Sequence, residues 1–375
     1  MTTRPIIAVV GLGTMGLGIA QTYAAAGFRV LATDAHAPAR DAAKTRLGDA
    51  LAKRVAAGKL DAALRDATLA NLMVMPDLSG LAPADLVIEA IVENLAAKQL
   101  LFTTLEQVIA PDAVLATNTS SLSVTAVATG LKQPNRVLGL HFFNPAPVMR
   151  LVELVAHAGT TRVALTFARQ VTEAAGKTVI QCPDSPGFIV NRCARPYYGE
   201  ALAMLEEGRT PSDIDAALQG AGYPLGPFGL IDLIGADINL AATMGLHEAM
   251  GGHPRYHPFD ALRAAVAAGR LGRKSGQGFI HPGVPGAAPA DADQIVLRLQ
   301  ATLINEAAFL LAGGGITAQD IDTALMLGLN FPRGPFAVLS AIGKPRILAQ
   351  LAALERAAPP ALKSRYLPAP LLETP

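Results

Sequence analysis

The spacing of apolar residues changes character near residue 184. Before it, short unbroken apolar runs alternate with helical stretches. Ile6–Val10 is a β-rich run that stops at Gly11, and a helical pattern then runs from Thr14 to Ala26, closed by Gly27 as C-cap. A second run, Phe28–Thr33, ends at Asp34. Continuous apolar strands of this kind are those a parallel sheet buries on both faces. Asp85–Ile88, Val114–Thr117 and Val137–Phe143 are further strand candidates with helical stretches between them. A doubly wound α/β sheet is therefore predicted over roughly the first 180 residues. Beyond Asp184-Ser185-Pro186-Gly187 the strand signal fades and the pattern turns helical.

The helical part repeats itself. Glu200-Ala201, Gly208, Asp213 to Leu218 and Pro224 to Phe228 have counterparts in Glu306-Ala307, Gly314, Asp320 to Leu325 and Pro332 to Phe336. The offset drifts only from 106 residues (200 to 306) to 108 (228 to 336). That period is too long for a solenoid and indicates a duplicated small domain. Between the copies, a Pro/Gly/Ala stretch from His281 to about Asp293 has too little apolar bulk for a core and reads as a linker. The predicted organisation is an α/β domain at 1–184, an all-α domain at 185–281, a linker at 282–293 and a shortened second all-α copy at 294–375. A tethered copy meets its partner at an effective concentration of about the millimolar range. The copies are therefore expected to dock within one chain as a pseudo-dimer, and a homodimer stays open.

Composition narrows the classes. Of 375 residues, 51% are hydrophobic but only 16% charged and 5% aromatic, so much of the apolar share is alanine. With 31 basic and 30 acidic residues the net charge is +1, which argues against a nucleic-acid surface. No run of about 18 uncharged apolar residues is seen, so no membrane span is expected. Cys182 and Cys193 make neither a disulfide framework nor a zinc spacing, and no metal site is expected. The start, Met1 to Pro5, runs straight into a strand and reads as having no targeting peptide. A cytoplasmic protein is expected.

Gly11-Leu12-Gly13-Thr14-Met15-Gly16 is a G-x-G-x-x-G between a predicted strand and helix, with Asp34 lying 18 positions past its last glycine. In a Rossmann-type site, Gly11 allows the tight turn, Gly13 lets the backbone approach a pyrophosphate, and Gly16 permits close helix–strand packing. The diphosphate sits at a helix N-terminus, beside Thr14 and Met15, where N–H groups and the dipole favour anions. Asp34 can accept from the ribose hydroxyls, and its charge repels a 2′-phosphate, so NAD is preferred over NADP. A flavin on the same fold and a plain glycine turn are the competing readings.

Of the seven histidines, His141 stands out. It lies in a strand-like run ended by Asn144-Pro145-Ala146-Pro147, and a second run, Arg150–Val155, contains Glu153. If the chain reverses near Pro147, positions 141 and 153 face each other. A carboxylate beside an imidazole fixes its tautomer and raises its proton affinity. That is the base an alcohol dehydrogenase needs to take a hydroxyl proton as hydride leaves. A packed core histidine beside an unrelated glutamate is the competing reading.

Five blocks then carry a resemblance: residues 11–20 (GLGTMGLGIA), 87–94 (VIEAIVEN), 117–122 (TNTSSL), 139–145 (GLHFFNP) and 184–192 (DSPGFIVNR), followed by 271–279 (LGRKSGQGF). In this order they resemble the L-3-hydroxyacyl-CoA dehydrogenase family, and the similarity runs from the first strand to about residue 280. It implies NAD-dependent, reversible oxidation of a (3S)-hydroxyacyl-CoA to the 3-oxoacyl-CoA. His141 would be the general base, Glu153 its partner, and Ser120 and Asn191 would hydrogen-bond the reacting oxygen or the base. Glu93, Lys98, Ser120, Asn144 and Lys274 would contact the nicotinamide half of NAD, and Lys59 is the choice for coenzyme A phosphates. Plainer readings exist: Glu93 and Asn94 as a capping pair, Lys98 and Lys274 as solvated cations, Ser120 and Asn191 as cap and helix-start residues. Members resembling the first 280 residues alone are common; the second helical copy here resembles longer bacterial members and reads as structural.

Two rivals remain at this level. One is a dehydrogenase of the same fold acting on a free hydroxy acid, though residues 141–149 (HFFNPAPVM) fit the CoA branch better. The other is a non-catalytic NAD-binding protein, against which the joint presence of His141, Glu153, Ser120 and Asn191 speaks. Acyl-chain length stays open.

Overall fold

The computed structural model describes residues 4–373, and the chain divides into two compact units that meet at Ser185/Pro186. The first holds one eight-stranded sheet: β1 (Ile7–Val10), β2 (Val30–Thr33), β3 (Leu72–Val74), β4 (Leu86–Glu89), β5 (Val114–Thr117), β6 (Val137–Phe142), β7 (Leu151–Ala156) and β8 (Thr178–Pro183). Their spatial order is β3-β2-β1-β4-β5-β6-β7-β8. Neighbours run parallel except β6 and β7, which are antiparallel. The helices are α1 (Thr14–Ala25), α2 (Ala37–Ala56), α3 (Ala62–Asn71), α4 (Leu95–Val108), α5 (Val124–Ala128) and α6 (Arg162–Ala174). Strands β1, β2, β4, β5 and β6 are buried at every position, as unbroken apolar runs require when both faces of a sheet are covered. The strand order reverses at β1, the switch point where open α/β sheets bind ligands beyond the carboxyl ends of their strands.

Two strands escape the sequence patterns. β3 has three residues, too few for any period, and is held by pairing with β2. β8 reads Thr-Val-Ile-Gln-Cys-Pro, a mixed run whose strand state comes from its full parallel ladder with β7.

The second unit is helical: α7 (Val190–Glu206), α8 (Pro211–Gly220), α9 (Pro227–Ile234), α10 (Ala236–Ala249) and α11 (Asp260–Ala267), then α12 (Ala292–Ala312), α13 (Ala318–Gly328), α14 (Pro335–Ile342), α15 (Lys344–Ala357) and α16 (Pro370–Glu373). The repeat seen in the sequence is a repeat of structure. Asp215 on α8 accepts the N–H groups of Phe228 and Gly229 at 2.9 and 2.7 Å, and Asp322 on α13 accepts those of Phe336 and Ala337 at 2.8 and 2.9 Å. Helix pairs α9–α10 and α14–α15 bend by 102° and 100°. Each bend falls at a glycine, Gly235 (φ +109°) or Gly343 (φ +86°), in a region side-chain-bearing residues rarely enter.

Helices α7 and α12 pack together within this unit and exchange buried charges in a two-fold pattern. Glu200, with no exposure, receives Arg298 Nε at 2.6 Å, Arg365 Nε at 3.0 Å and the Tyr366 hydroxyl at 3.1 Å, all from the second copy. Glu306, equally buried, receives Arg192 Nε at 2.6 Å, Arg255 Nε at 2.9 Å and the Tyr256 hydroxyl at 2.7 Å, all from the first. This is the self-complementary contact of a two-fold dimer, made within one chain.

No run of about 18 uncharged apolar residues is present in the sequence, but one helix comes near it. α12 is long and apolar enough by length and composition alone, yet most of it is buried and it carries Arg298 and Glu306. It is apolar nearly all round because it is the central helix of a core. It also starts at Ala292, inside the stretch expected to be linker.

Two outcomes test this interface. Glu306→Leu strands two buried guanidinium groups and should lower unfolding free energy by about 3–5 kcal/mol. Asp291→Asn, which breaks only the solvent-screened Arg209–Asp291 pair, should leave stability nearly unchanged; urea titration of both compares them. A chain ending at Pro282 loses every second-copy partner of Glu200 and should dimerise or aggregate in light scattering, whereas a well-behaved monomer would show that the face does not need covering.

Candidate active site

The glycine turn after β1 is built by contact. A Cβ on Gly16 would fall 1.7 Å from the Gly11 carbonyl oxygen, and one on Gly11 2.5 Å from that of Ala90. At Gly13 a Cβ would meet nothing within 4 Å. Gly13 is the exposed N-cap of α1, no side chain caps that end, and its first turn, with Thr14 exposed and Met15 half-buried, holds no acid. Bare N–H groups beside open space form the cradle a diphosphate needs. Asp34, at the end of β2, closes the turn by accepting from Leu12 N–H at 2.7 Å and His36 N–H at 2.8 Å. Arg46 Nη1 donates to the Leu12 carbonyl at 3.0 Å and fixes the loop from below.

At the ends of β4 and β5 the chain assembles a charged cluster. Lys98 is buried, and its Nζ meets Glu89 Oε1 at 2.6 Å and Glu93 Oε2 at 3.2 Å, which corrects its reading as a solvated cation. Glu89, with no exposure, also accepts from Thr117 Oγ1 and Ile91 N–H, each at 2.7 Å. Asn94 alone caps α4. Glu93 Oε1 instead gathers Thr119 Oγ1 at 2.6 Å, Ser121 Oγ at 2.9 Å and the Ser120 N–H at 3.1 Å. Burial pushes the Glu93 carboxyl upward, but these bonds and the Lys98 charge outweigh it and hold it below its ordinary value. Ser120 thus sits on an exposed loop whose backbone is pinned by Glu93.

The register of β6 on β7 places His141 directly opposite Glu153, as a reversal at the proline loop requires. His141 Nδ1 lies 2.6 Å from Glu153 Oε2, with the histidine 6% and the glutamate 0% exposed. The Phe143 ring stands 4.5 Å from the imidazole, centroid to centroid. Asn118 Oδ1 accepts the Phe142 N–H at 2.8 Å, tying the end of β5 to the strand that carries the histidine. Asn144 follows at once, exposed at the head of the proline loop. That loop is held by Lys177, whose Nζ donates to the carbonyls of Ala146 (2.5 Å) and Met149 (2.8 Å).

In the second unit, Asn191 is the second residue of α7 and half-buried. Lys274, in the Gly-rich turn, is paired rather than simply solvated: its Nζ meets Asp237 Oδ2 at 2.6 Å. Asp232 accepts the N–H groups of Phe279, Ile280 and His281 at 2.7–2.8 Å and folds that turn down; Ser340 holds its place in the second copy. Lys59 is exposed just past α2, in the helical hairpin that follows β2. Glu89, Asn118 and Lys177 are the structural residues that pattern reasoning passed over. The one available signal was an acid, Glu89, closing an otherwise apolar strand.

Comparison with known proteins agrees with this architecture. Residues 6–185 match the 3-hydroxyacyl-CoA dehydrogenase NAD binding domain, and 187–281 with 295–374 match the C-terminal domain of the same family. The chain belongs to the 3-hydroxyacyl-CoA dehydrogenases and is an NAD-dependent oxidoreductase. It is 37% identical to the 3-hydroxyadipyl-CoA dehydrogenase of Escherichia coli K12, over 93% of each chain. It is 42% identical to the 3-hydroxybutyryl-CoA dehydrogenase of Mycobacterium tuberculosis H37Rv, over 73% of this chain and 96% of that one. A crystal structure of E. coli 3-hydroxybutyryl-CoA dehydrogenase superposes with a TM-score of 0.90 at 35% identity, covering 99% and 98% of the two chains.

Asp34 is proposed as the acceptor for the ribose hydroxyls and as the charge that repels a 2′-phosphate, and Asp34→Ala tests both roles. The substitution should raise KM for NAD and narrow the preference over NADP; cofactor KM values that do not move would remove Asp34 from the site.

Proposed function

We propose that His141 is the general base of (3S)-hydroxyacyl-CoA oxidation and that Glu153 sets its tautomer. The buried 2.6 Å contact between Nδ1 and Glu153 Oε2 carries this reading. With the ring proton held on Nδ1 by the carboxylate, Nε2 is the lone-pair nitrogen that takes the proton from the C3 hydroxyl. Bound NAD supplies the hydride acceptor. As the proton arrives, His141 becomes an imidazolium in a site nearly sealed from water, and the fixed charge of Glu153 stabilises it without reorganisation. In the reverse direction the same imidazolium returns the proton to the carbonyl oxygen.

Ser120 and Asn191 are proposed to hydrogen-bond that C3 oxygen, so that the reacting carbon is presented in one orientation. The pinning of the Ser120 backbone by Glu93 supports its part in this. Asn144 and Lys274 are proposed to contact the nicotinamide half of the cofactor, and Lys98 acts through Glu89 and Glu93, whose carboxylates it holds in place. Lys59 is proposed to meet coenzyme A phosphates, in keeping with its exposure.

His141→Gln should lower kcat by about 10²–10⁴-fold while leaving NAD affinity nearly as it was, because a general base acts in the transition state. Glu153→Gln should lower kcat less. Stopped-flow NADH absorbance with 3-hydroxybutyryl-CoA, beside NAD binding by fluorescence, separates the two effects. A His141 variant with near wild-type turnover would refute the assignment.

A further inference from the structure

One buried cation in the first unit is spent on backbone alone. Lys177, between α6 and β8, is 8% exposed, and its Nζ donates to the carbonyls of Ala146 at 2.5 Å and Met149 at 2.8 Å. Among the described residues no carboxylate pairs with it, although an ammonium taken out of water is costly without one. The titratable groups on the elements around it are engaged or exposed. The Tyr23 hydroxyl on α1 hydrogen-bonds Thr172 Oγ1 at 2.8 Å, and Glu153 on β7 holds His141. On α6, Arg169 donates to the Val179 carbonyl and Glu173 is exposed, as is Arg150 at the start of β7. Cys182, further along β8, is a buried thiol whose pKa burial pushes up. Burial, opposed by no neighbouring charge, pulls the Lys177 pKa down to about 8.

The segment it grips joins the two halves of the histidine–glutamate pair. Residues 143–150 connect β6, which ends just after His141, to β7, which carries Glu153. The Pro145 carbonyl closes this segment into a turn by accepting the Val148 and Met149 N–H groups at 2.9 and 3.0 Å. The same turn lies against α1: a Cβ on Gly18 would fall 3.2 Å from Pro147 Cδ and 3.3 Å from Ala146 Cβ. Glycine at that position lets the turn approach the helix whose bare N-terminus forms the diphosphate cradle. Ala146 is 3% exposed and belongs to the core that holds Leu17, Ile19 and Ala20 of α1. The turn is thus fixed to Lys177 and to α1 at once, with Asn144 two residues and His141 five residues before Ala146.

We infer that Lys177 is a positioning residue for the oxidation: by gripping the Ala146 and Met149 carbonyls it sets the β6–β7 turn against α1, and so fixes Asn144 and His141 relative to a cofactor whose diphosphate α1 holds. This rests on the reading above that His141 is the base and that Asn144 meets the nicotinamide half. Lys177 acts through the turn and takes no part in the proton or hydride steps. Its bonds are charge-assisted; the neutral amine keeps donors but loses the charge that makes them strong, so the turn loosens as Lys177 gives up its proton. A displacement of about 1 Å among reacting groups costs about 10²-fold in rate, so a loosened turn is read in kcat. Residues 11–16 and Asp34 lie outside the turn and should hold the cofactor as before.

The test compares the full-length wild type with Lys177→Met, which keeps the aliphatic stem, and Lys177→Arg, which keeps the charge. The reaction is 3-hydroxybutyryl-CoA oxidation, in which alkali withdraws no proton that the chemistry consumes, and rates are taken per active site counted by NADH fluorescence titration. Lys177→Met should lower kcat by about 10- to 100-fold while KM for NAD stays within about twofold. Wild-type kcat should step down several-fold as pH rises through about 8; Lys177→Met should lack the step, and Lys177→Arg should lack it while keeping most of the activity. Without cofactor, hydrogen exchange of the Val148 and Met149 amides should be about tenfold faster in Lys177→Met, as expected where local opening becomes easier. If that variant does not fold, Gly18→Ala decides: alanine favours the helix but presses on the gripped turn, so kcat should fall several-fold with no loss in Tm. Wild-type kcat in Lys177→Met or in Gly18→Ala, a flat wild-type profile, a step that persists in Lys177→Met, or unchanged exchange at Val148 and Met149 overturns this inference and leaves His141 as the base. A His141→Gln enzyme that keeps its turnover overturns the reading beneath it instead.

Discussion

A carboxylate withdrawn from water must be met by cations and donors, and this chain makes that constraint its organising device. Glu89, Glu153, Glu200 and Glu306 have no solvent exposure. Each is satisfied at least in part by groups on other elements, so each ties its own element to another. Glu89 draws in Lys98 and Thr117 at the carboxyl ends of β4 and β5. Glu153 holds the His141 ring. Glu200 and Glu306 bind the two helical copies together. An unpaired charge at any of these depths is strongly destabilising, so the arrangement is specified as much by what breaking it would cost as by what forming it contributes.

The duplicated helical domain shows the same constraint acting on evolution of a fold. Two related copies offer equivalent arginines, tyrosines and glutamates, and they pair across a pseudo-two-fold axis, each copy serving the other's glutamate. Where function has not been duplicated the symmetry lapses: Asp232 gathers three N–H groups of the Gly-rich turn, while Ser340 holds its place in the second copy.

Much of this was legible in the order of residues. Unbroken apolar runs located β1, β2, β4, β5 and β6 to within a residue or two, because a strand buried on both faces leaves no alternation to confuse it. The glycine turn with Asp34 was legible because each glycine answers a local steric demand, now visible in the clash a Cβ would meet at Gly11 or Gly16. The facing of His141 and Glu153 followed from arithmetic about one proline-rich reversal, since an antiparallel pair sharing a short loop has little choice of register. The repeat was legible as self-similarity, and it implied that the copies would dock.

What the residue order left open depends on partners far away along the chain. β3 and β8 are strands because β2 and β7 offer them open edges, a fact absent from their own composition. Lys98 reads as a surface lysine until β4 delivers Glu89 and buries both. α12 has the composition of a membrane span, and only its packing within the second unit shows it to be a core helix. Arg192 and Arg298 look like ordinary helix arginines, and nothing local says that they cross to Glu306 and Glu200. Local sterics and periodicity act within a few residues and can be read in order; burial and ion pairing are properties of a place, and a place exists only once the chain has folded around it.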